Sequence, residues 1–345
     1  MEGLRAYVEI FHDNTIKLFN KLDQLDKSNG IDVQEYFMKY TLDSFSEIGF
    51  GVKLDSISSD TNDFATSFDS IQIHILKRGY SGRLWILKEF LSKPAEFYKH
   101  LEYMDNFVGQ IITVRKQEPK EILKDRSDLL SQMLLENENA SHEDLRDFVM
   151  NFLLAGRDTT AVLLTWCIYL LSSHPEVVNK MLNEFAEHIP ENEVPTFANT
   201  KSLVYTKQVL QETLRLYPPV PIDGYTATKD CILPGGYKVL KDTQVRYCAW
   251  DLHRRPEFWG SNSAEFVPER FENVPAPFTW IPFHAGQREC LGKEMAYLEA
   301  KIMLVNFLRR YSFSLVPEHK VETKIGIILT AKNGVRVHLT PRTKN

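Results

Sequence analysis

The chain has 345 residues, of which 43% are hydrophobic and 25% charged, and its formal net charge is −5. This is the composition of an ordinary globular protein with enough apolar material for a sizeable core. The acidic balance argues against a nucleic-acid-binding surface. The four cysteines show no C-x-x-C spacing, so we expect reduced thiols facing the cytosol rather than disulfides or a zinc site. No run of eighteen apolar residues predicts a membrane span, and the N-terminus does not read as a secretory signal.

Hydrophobic periodicity predicts mainly helices in the first 140 residues. Two helices are expected over 1–27 and over a second segment that ends at Gly51. The apolar segment 62–91 contains Gly79 and Gly82, which predicts two short helical pieces joined by a mobile turn. The remaining predictions for this part are a helix from Pro94 to about Gln117, a charged linker at 116–126 and a short helix near 129–134.

The longest predicted helix begins after Ser141, which with Asp144 three residues later gives a capping signal, and it extends to Ser173. Pro175 opens the next helix, and another is expected over 200–216. Short strands lie on both sides of a final long helix that starts at residue 291. They are expected at 231–233, 237–240, 245–249, 312–316, 325–329 and 335–339, with a tight hairpin turn at Asn333-Gly334. The pattern predicts a mainly α fold with small β-sheets.

One short stretch, residues 283–292, is predicted to be a loop that holds a cysteine at the N-terminus of a helix. Gly286 and Gly292 flank Cys290, at positions where a backbone needs a positive φ or a close approach to a flat ligand. A helix N-terminus directly after Cys290 would favour its thiolate. A thiolate is a good axial ligand for haem iron. Arg288 is placed to pair with an anion such as a haem propionate.

A polar block interrupts the longest predicted helix at residues 155–160, with the sequence Ala-Gly-Arg-Asp-Thr-Thr. Burying such a block costs several kcal/mol unless its groups are satisfied or used. The alternative interpretation is a helix that lies partly at the surface and carries a polar patch there.

The cysteine stretch resembles the haem-binding signature of the cytochrome P-450 family, F-x-x-G-x-R-x-C-x-G. All five fixed positions match, and they are filled by Phe283, Gly286, Arg288, Cys290 and Gly292. Ordinary residue usage would produce such a match by chance on the order of once in ten thousand chains. The resemblance therefore outweighs the usual interpretation of a lone cysteine as a small buried hydrophobe. It implies that Cys290 is the haem iron ligand and that the other four residues hold the cofactor.

The polar block resembles the family's central-helix motif, A/G-G-x-D/E-T-T. The resemblance implies that Ala155 and Gly156 let haem and dioxygen approach the helix. It also implies that Asp158 and Thr159 form the acid–alcohol pair that relays protons to dioxygen, which a buried hydroxyl beside a carboxyl can do without admitting bulk water.

A third motif joins a distant pair of segments. Glu212 and Arg215 form an E-x-x-R pair, which alone would be an ordinary surface ion pair. They are followed by Pro268-Glu269-Arg270-Phe271, which matches the family's P-E-R-F motif. The resemblance implies a structural lock between Glu212, Arg215 and Arg270 that keeps the cysteine loop rigid.

The resemblance spans essentially the whole chain and implies a single haem-thiolate domain over 1–345. Its beginning is missing: we find no membrane anchor, proline-rich hinge, N-terminal strands or W-x-x-x-R helix. We therefore expect the P-450 fold without its N-terminal section. For the full-length parent, the resemblance implies the cytosolic face of the endoplasmic reticulum membrane.

The implied activity is a monooxygenase that inserts one oxygen atom of O2 into a C–H bond of a lipophilic substrate. The cofactor is haem b, and electrons come from an NADPH-dependent flavoprotein reductase. Residues 151–161 and 214–221 resemble the fatty-acid ω-hydroxylase branch. The substrate pocket is expected to be apolar and lined by Phe152, Leu153, Val220, Ile222, Ile327 and Ile328. Two alternatives stay open at this point: a haem-thiolate isomerase or dehydratase, and a haem-deficient homologue without activity.

Overall fold

The computed structural model describes residues 2–82, 84–91, 94–191 and 193–342. Within these ranges the chain is mainly helical, as the sequence predicts. The first helices are α1 (Glu2–Gln24), α2 (Val33–Phe50), α3 (Asp63–Ser81), α4 (Leu84–Leu91), α5 (Ala95–Gln117), α6 (Lys120–Lys124), α7 (Leu129–Glu136) and α8 (His142–Leu171). They are followed by α9 (Pro175–His188), α10 (Phe197–Ser202), α11 (Val204–Leu216), α12 (Ala249–Leu252), α13 (Pro256–Trp259) and α14 (Lys293–Arg310).

Helix α8 is the centre of the packing, because its second half is buried almost all round. One apolar cluster lies where α1, α2, α8, α11 and α14 meet and includes Phe37, Trp166 and Phe307. A second cluster joins α2 and α8 to α3, α5 and α7. These two clusters fix α8 and α14, which carry or adjoin the predicted site, relative to each other.

The strands form small antiparallel sheets. Their bounds are β1 (Ile31–Asp32), β2 (Ile222–Thr226), β3 (Cys231–Leu233), β4 (Tyr237–Val239), β5 (Gln244–Cys248), β6 (Tyr311–Leu315), β7 (Thr323–Ile325), β8 (Leu329–Ala331) and β9 (Arg336–Pro341). The three-stranded sheet has the order β1-β9-β6, and the remaining strands pair as β2–β5, β3–β4 and β7–β8. In the β2–β5 pair, Asp223 lies opposite Tyr247.

Several predicted bounds are wrong. Gly79 does not interrupt α3, which continues to Ser81, and the chain turns at Gly82 instead. The predicted helix at 200–216 is two helices with a break at Leu203. The linker at 116–126 contains the short helix α6. Strands β1 and β2 were not predicted.

The predicted hairpin at Asn333-Gly334 is also wrong. Gly334 does turn the chain with φ +70°, but β9 pairs with β6 and β1 rather than with β8. The turn is held from outside, since the Asp32 carboxylate accepts from the Val335 N–H at 2.9 Å and fills the space where a Gly334 side chain would lie. The short β7–β8 hairpin turns at 326–328.

Among the described residues no single helix is long and apolar enough to cross a membrane. Helices α8 and α9 together have the length and apolar composition of a span, but the chain bends by 116° between them.

Candidate active site

The cysteine loop is closed by its own backbone. The Cys290 N–H donates to the Phe283 carbonyl at 2.9 Å, and Gly286 takes φ +75°, a left-handed conformation that favours glycine. Gly292 is the N-cap of α14 with φ −82°, so a positive φ is not what this position requires. A Cβ on Gly292 would lie 3.8 Å from the Cys290 Sγ, which is ordinary contact.

Helix α14 begins at Lys293, three residues after Cys290 and two later than predicted. Leu291 is fully exposed, so it does not belong to the apolar face of that helix. Cys290 and Arg288 are exposed as well. Within the described ranges, Arg288 makes no ion pair, which leaves its guanidinium available for an anionic group.

His284 is a residue of this loop to which the sequence assigned no chemistry. Its Nε2 lies 2.6 Å from the Oδ2 of Asp223 on β2. Its variable position in the family signature gave no signal, and strand β2 was not predicted. The contact could therefore not be foreseen.

The two charged residues of the polar block on α8 are buried, whereas Ala155 is exposed and Thr159 is half-buried, so the helix lies partly at the surface here but shows no charged patch there. Arg157 is 4% exposed and Asp158 3% exposed. Arg157 Nη1 lies 2.5 Å from the Oδ1 of Asp69 on α3 and 3.1 Å from the Oδ1 of Asp158. Burial raises the pKa of Asp158, and the neighbouring Arg157 guanidinium and a hydrogen bond from Gln72 oppose that rise.

The Thr159 hydroxyl donates to the Ala155 carbonyl one turn earlier, at 2.7 Å. Ala155 is exposed, as the approach of a flat ligand requires. Gly156 serves a different contact: a Cβ there would lie 1.9 Å from the Phe45 ring of α2. The absence of a side chain at Gly156 therefore allows α2 and α8 to pack closely.

The E-x-x-R pair is a fully buried two-point salt bridge. Arg215 Nε and Nη2 lie 2.6 and 2.7 Å from the two carboxylate oxygens of Glu212. The remaining donors of Arg215 bind the carbonyls of His253, Ser263 and Glu265. Arg270 approaches Glu212 at 3.4 Å and donates to the carbonyls of Trp259 and Asn262. The three charged groups thus tie α11 to the segment before the cysteine loop.

Of the residues expected to line the substrate pocket, only Ile222 borders either of the two cavities found in the described part of the chain. Phe152 packs on Phe45 with ring centroids 5.4 Å apart, and Leu153 is fully buried in the second apolar cluster. Ile222 borders a pocket of about 250 Å³ on the β2–β5 pair. A larger cavity of about 970 Å³ lies between the end of α11 and residues 264–267, and none of the expected pocket residues lines it.

The described residues fit a haem group. Phe148, Ala155 and Thr159 lie on one face of α8, at i, i+7 and i+11. Phe148 and Leu154 on α8 and Leu291 after the cysteine expose apolar side chains, which suit an apolar ligand. Cys290 supplies a sulfur ligand, and no cluster of three or more metal-binding side chains occurs in the described part of the chain to compete with it.

Comparison with known proteins identifies the family of the chain. Residues 1–337 match the sequence profile of the family described as cytochrome P-450. Cytochrome P-450 704B1 of Arabidopsis thaliana is 33% identical over 97% of this chain and 74% of that protein. Cytochrome P-450 704C1 of Pinus taeda is 32% identical over 96% of this chain and 71% of that protein. A bifunctional cytochrome P-450/NADPH–P-450 reductase of Bacillus subtilis is 32% identical over 99% of this chain, which covers 32% of that protein.

Proposed function

Because the chain belongs to the cytochrome P-450 family of monooxygenases, we propose that it inserts one oxygen atom of O2 into a C–H bond of a lipophilic substrate. The observation that carries the proposal is Cys290, an exposed cysteine at the fixed position of a backbone-closed loop. When bound, haem supplies the iron that binds and activates dioxygen. Two electrons and two protons are consumed, one oxygen atom enters the substrate and the other leaves as water.

The residues of this chain hold the cofactor and deliver protons. Cys290 would supply the sulfur that binds the haem iron, and the exposed Arg288 would pair with a propionate. Asp158 keeps a proton to a higher pH than an ordinary aspartate does, because burial raises its pKa. The Thr159 hydroxyl, one residue further on, donates to the Ala155 carbonyl and can pass a proton from its place on the exposed face of α8.

We infer that the electrons come from an NADPH-dependent flavoprotein reductase. Support comes from the Bacillus subtilis relative, which is named as a P-450 and its NADPH reductase in one chain. An acyl chain is the substrate we propose first, since residues 151–161 and 214–221 resemble the fatty-acid ω-hydroxylase branch. We place the enzyme on the cytosolic face of the endoplasmic reticulum membrane. The apolar side chains that α4 exposes, among them Phe90 and Leu91, support a membrane contact.

The first test is the carbon-monoxide difference spectrum of the reduced, haem-loaded protein. We expect the strongly red-shifted Soret band of a thiolate-ligated haem, and we expect Cys290→Ser to abolish it. Cys248→Ser is the matched control, because it removes a partly buried thiol from β5 and should leave the band unchanged. A band that survives Cys290→Ser would refute the assignment of the ligand.

A second test separates the monooxygenase from the alternatives. Consumption of NADPH with reductase and a fatty acid should yield hydroxylated product. Turnover of a lipid hydroperoxide without NADPH, and no product with it, would favour the isomerase interpretation. A folded chain that never takes up haem would favour the inactive homologue.

A further inference from the structure

The backbone of the cysteine loop is unusual at His284. This residue has φ +64°, in the left-handed region that few residues other than glycine adopt. For a side chain as large as histidine, such a conformation costs on the order of 1–3 kcal/mol and persists only where contacts enforce it. Contacts of the loop offset this cost: the His284 N–H donates to the Ile281 carbonyl at 3.1 Å, and the His284 side chain makes a contact of its own.

The side chain of His284 contacts strand β2. His284 Nε2 lies 2.6 Å from Asp223 Oδ2, and the Asp223 side chain is itself fixed on both oxygens. Its Oδ1 accepts from the Gly224 N–H at 2.7 Å, and its Oδ2 accepts from the Tyr247 hydroxyl of β5 at 3.4 Å. Burial and the nearby Asp223 raise the pKa of Tyr247 to about 12, so the hydroxyl remains a donor. The imidazole thus binds a carboxylate that two strands orient.

Few other side chains connect the cysteine loop to the rest of the protein by hydrogen bonds. In the described part of the chain, the other side chains of residues 284–289 form one hydrogen bond outside the loop, from Lys293 of α14 to Glu289. The backbone bonds of Cys290, Glu289 and His284 all close within residues 281–290. Among the described residues, His284 is therefore the one side chain of residues 284–289 that connects the cysteine loop to a sheet by a hydrogen bond.

We propose that His284 is a positioning residue for Cys290: its bond to Asp223 holds the loop on the β2–β5 pair and so fixes where the sulfur meets the iron. The proposal rests on the proposed role of Cys290 as haem ligand. It predicts that breaking the pair changes the ligation and the retention of haem more than it changes the stability of the fold. The effect on haem follows because the loop then samples positions in which the sulfur is displaced.

The test uses two single substitutions and their combination. Asp223→Ala removes the carboxylate that binds His284. His284→Asn keeps a residue that tolerates a positive φ but is too short to reach β2. His319→Asn is the matched control, because it removes one histidine hydrogen bond, to the Gly334 carbonyl at 3.0 Å, from a different part of the chain.

Three readouts are needed: the share of thiolate-type band in the reduced carbon-monoxide spectrum, the rate of haem transfer to excess apomyoglobin, and the midpoint of thermal unfolding. We expect both single variants to lose haem about tenfold faster and to lower the thiolate share, while the unfolding midpoint stays close to that of the unaltered chain. The double variant should be no worse than either single variant, since all three lack the same interaction. The control should match the unaltered chain.

Two results would overturn the proposal. Single variants that keep the unaltered spectrum and transfer rate would show that the pair does not position the sulfur. Losses that add in the double variant would show that the two residues act separately. If the unaltered chain gives no thiolate band at all, the proposed function fails first and this inference fails with it.

Discussion

The hydroxyl of Thr159 donates to the Ala155 carbonyl of its own helix, and Thr159 directly follows a buried acid, Asp158, in the sequence. Thr159→Ala should therefore leave the helix intact and uncouple dioxygen use from product formation. A positioned proton donor contributes roughly 10²–10⁴-fold to rate, so the yield of product per O2 should fall about tenfold or more. The measurement is the ratio of product and hydrogen peroxide to NADPH consumed.

Thr165 provides the control for that substitution. Its hydroxyl makes the same bond to a carbonyl one turn earlier, Ala161, at 2.7 Å, but inside the core. Thr165→Ala should not change the peroxide ratio. Equal uncoupling in both variants would mean that the loss of a helix hydrogen bond, rather than proton transfer, explains the effect.

Two helical glycines should respond to alanine in opposite directions. Gly156→Ala would place a Cβ 1.9 Å from the Phe45 ring and should destabilise the fold by about 1–3 kcal/mol through overpacking. Gly79→Ala meets nothing within 4 Å and should stabilise it by roughly 0.5 kcal/mol, because alanine favours the helix. Urea unfolding measures both, and Phe45→Leu should recover part of the loss at 156. A neutral Gly156→Ala would contradict the packing argument.

At the scale of single residues, the sequence could predict residues that belong to a family motif, but not contacts with residues that are distant in sequence. Cys290 and Arg288 were proposed as haem ligand and propionate partner from the family signature, and both side chains are exposed on the cysteine loop, where these roles stay predictions. The contacts of Gly156 and His284 were not predictable, because each depends on a neighbour distant in sequence, Phe45 and Asp223. Leu291 was placed wrongly because the apolar spacing of α14 continues by accident beyond its N-cap.

Between elements, the link of Arg157 to Asp69 joins the central helix α8 to α3. Because the Asp69 side chain is 52% exposed, its ion pair with the buried Arg157 should contribute little to the free energy of unfolding. Breaking the pair should therefore increase local opening of α3 more than it lowers the stability of the whole fold. A double-mutant cycle with Asp69→Asn and Arg157→Gln should give a coupling energy of about 0.5–1 kcal/mol. Hydrogen exchange of the α3 amides should accelerate in both single variants.

Asp63→Asn is the control for this cycle, since it removes an exposed acid from the first turn of the same helix. It should show no coupling to Arg157→Gln. A coupling energy of zero between Asp69 and Arg157 would mean that the buried guanidinium is held by Asp158 and the Phe68 ring alone.

Local sequence signals predicted the end of a helix well where a capping residue or a proline determines that end. Gly51 ends α2 with φ +68°, Ser141 caps α8 and Pro175 opens α9. Strand pairing could not be predicted in this way, because β9 pairs with β1 and β6 from distant parts of the chain. The Asn333-Gly334 signal was a true turn whose flanking strands pair elsewhere.

At the scale of the whole molecule, the helices α8 and α14 bury a carboxyl group between them. Glu299 is fully buried, and neither carboxyl oxygen has a well-aligned hydrogen-bond partner among the described residues. Burial raises the pKa of Glu299 well above its ordinary value, and the Thr160 hydroxyl opposes this only in part. The native protein therefore binds a proton that the unfolded chain releases above the ordinary value of 4.5.

The sign of the pH dependence follows from that proton. The contribution of Glu299 to stability is complete below the unfolded pKa and is lost as pH rises through the native pKa, by up to about 1.4 kcal/mol per pH unit. Glu299→Gln removes this loss, so the variant should be more stable than the unaltered chain at about pH 8, with the difference shrinking towards about pH 5. Urea unfolding at both pH values measures this difference in stability. Glu294→Gln, at an exposed position on the same helix, should leave the stability unchanged at both pH values. A variant that loses stability equally at both pH values would show that Glu299 acts in the core through its shape rather than through its proton.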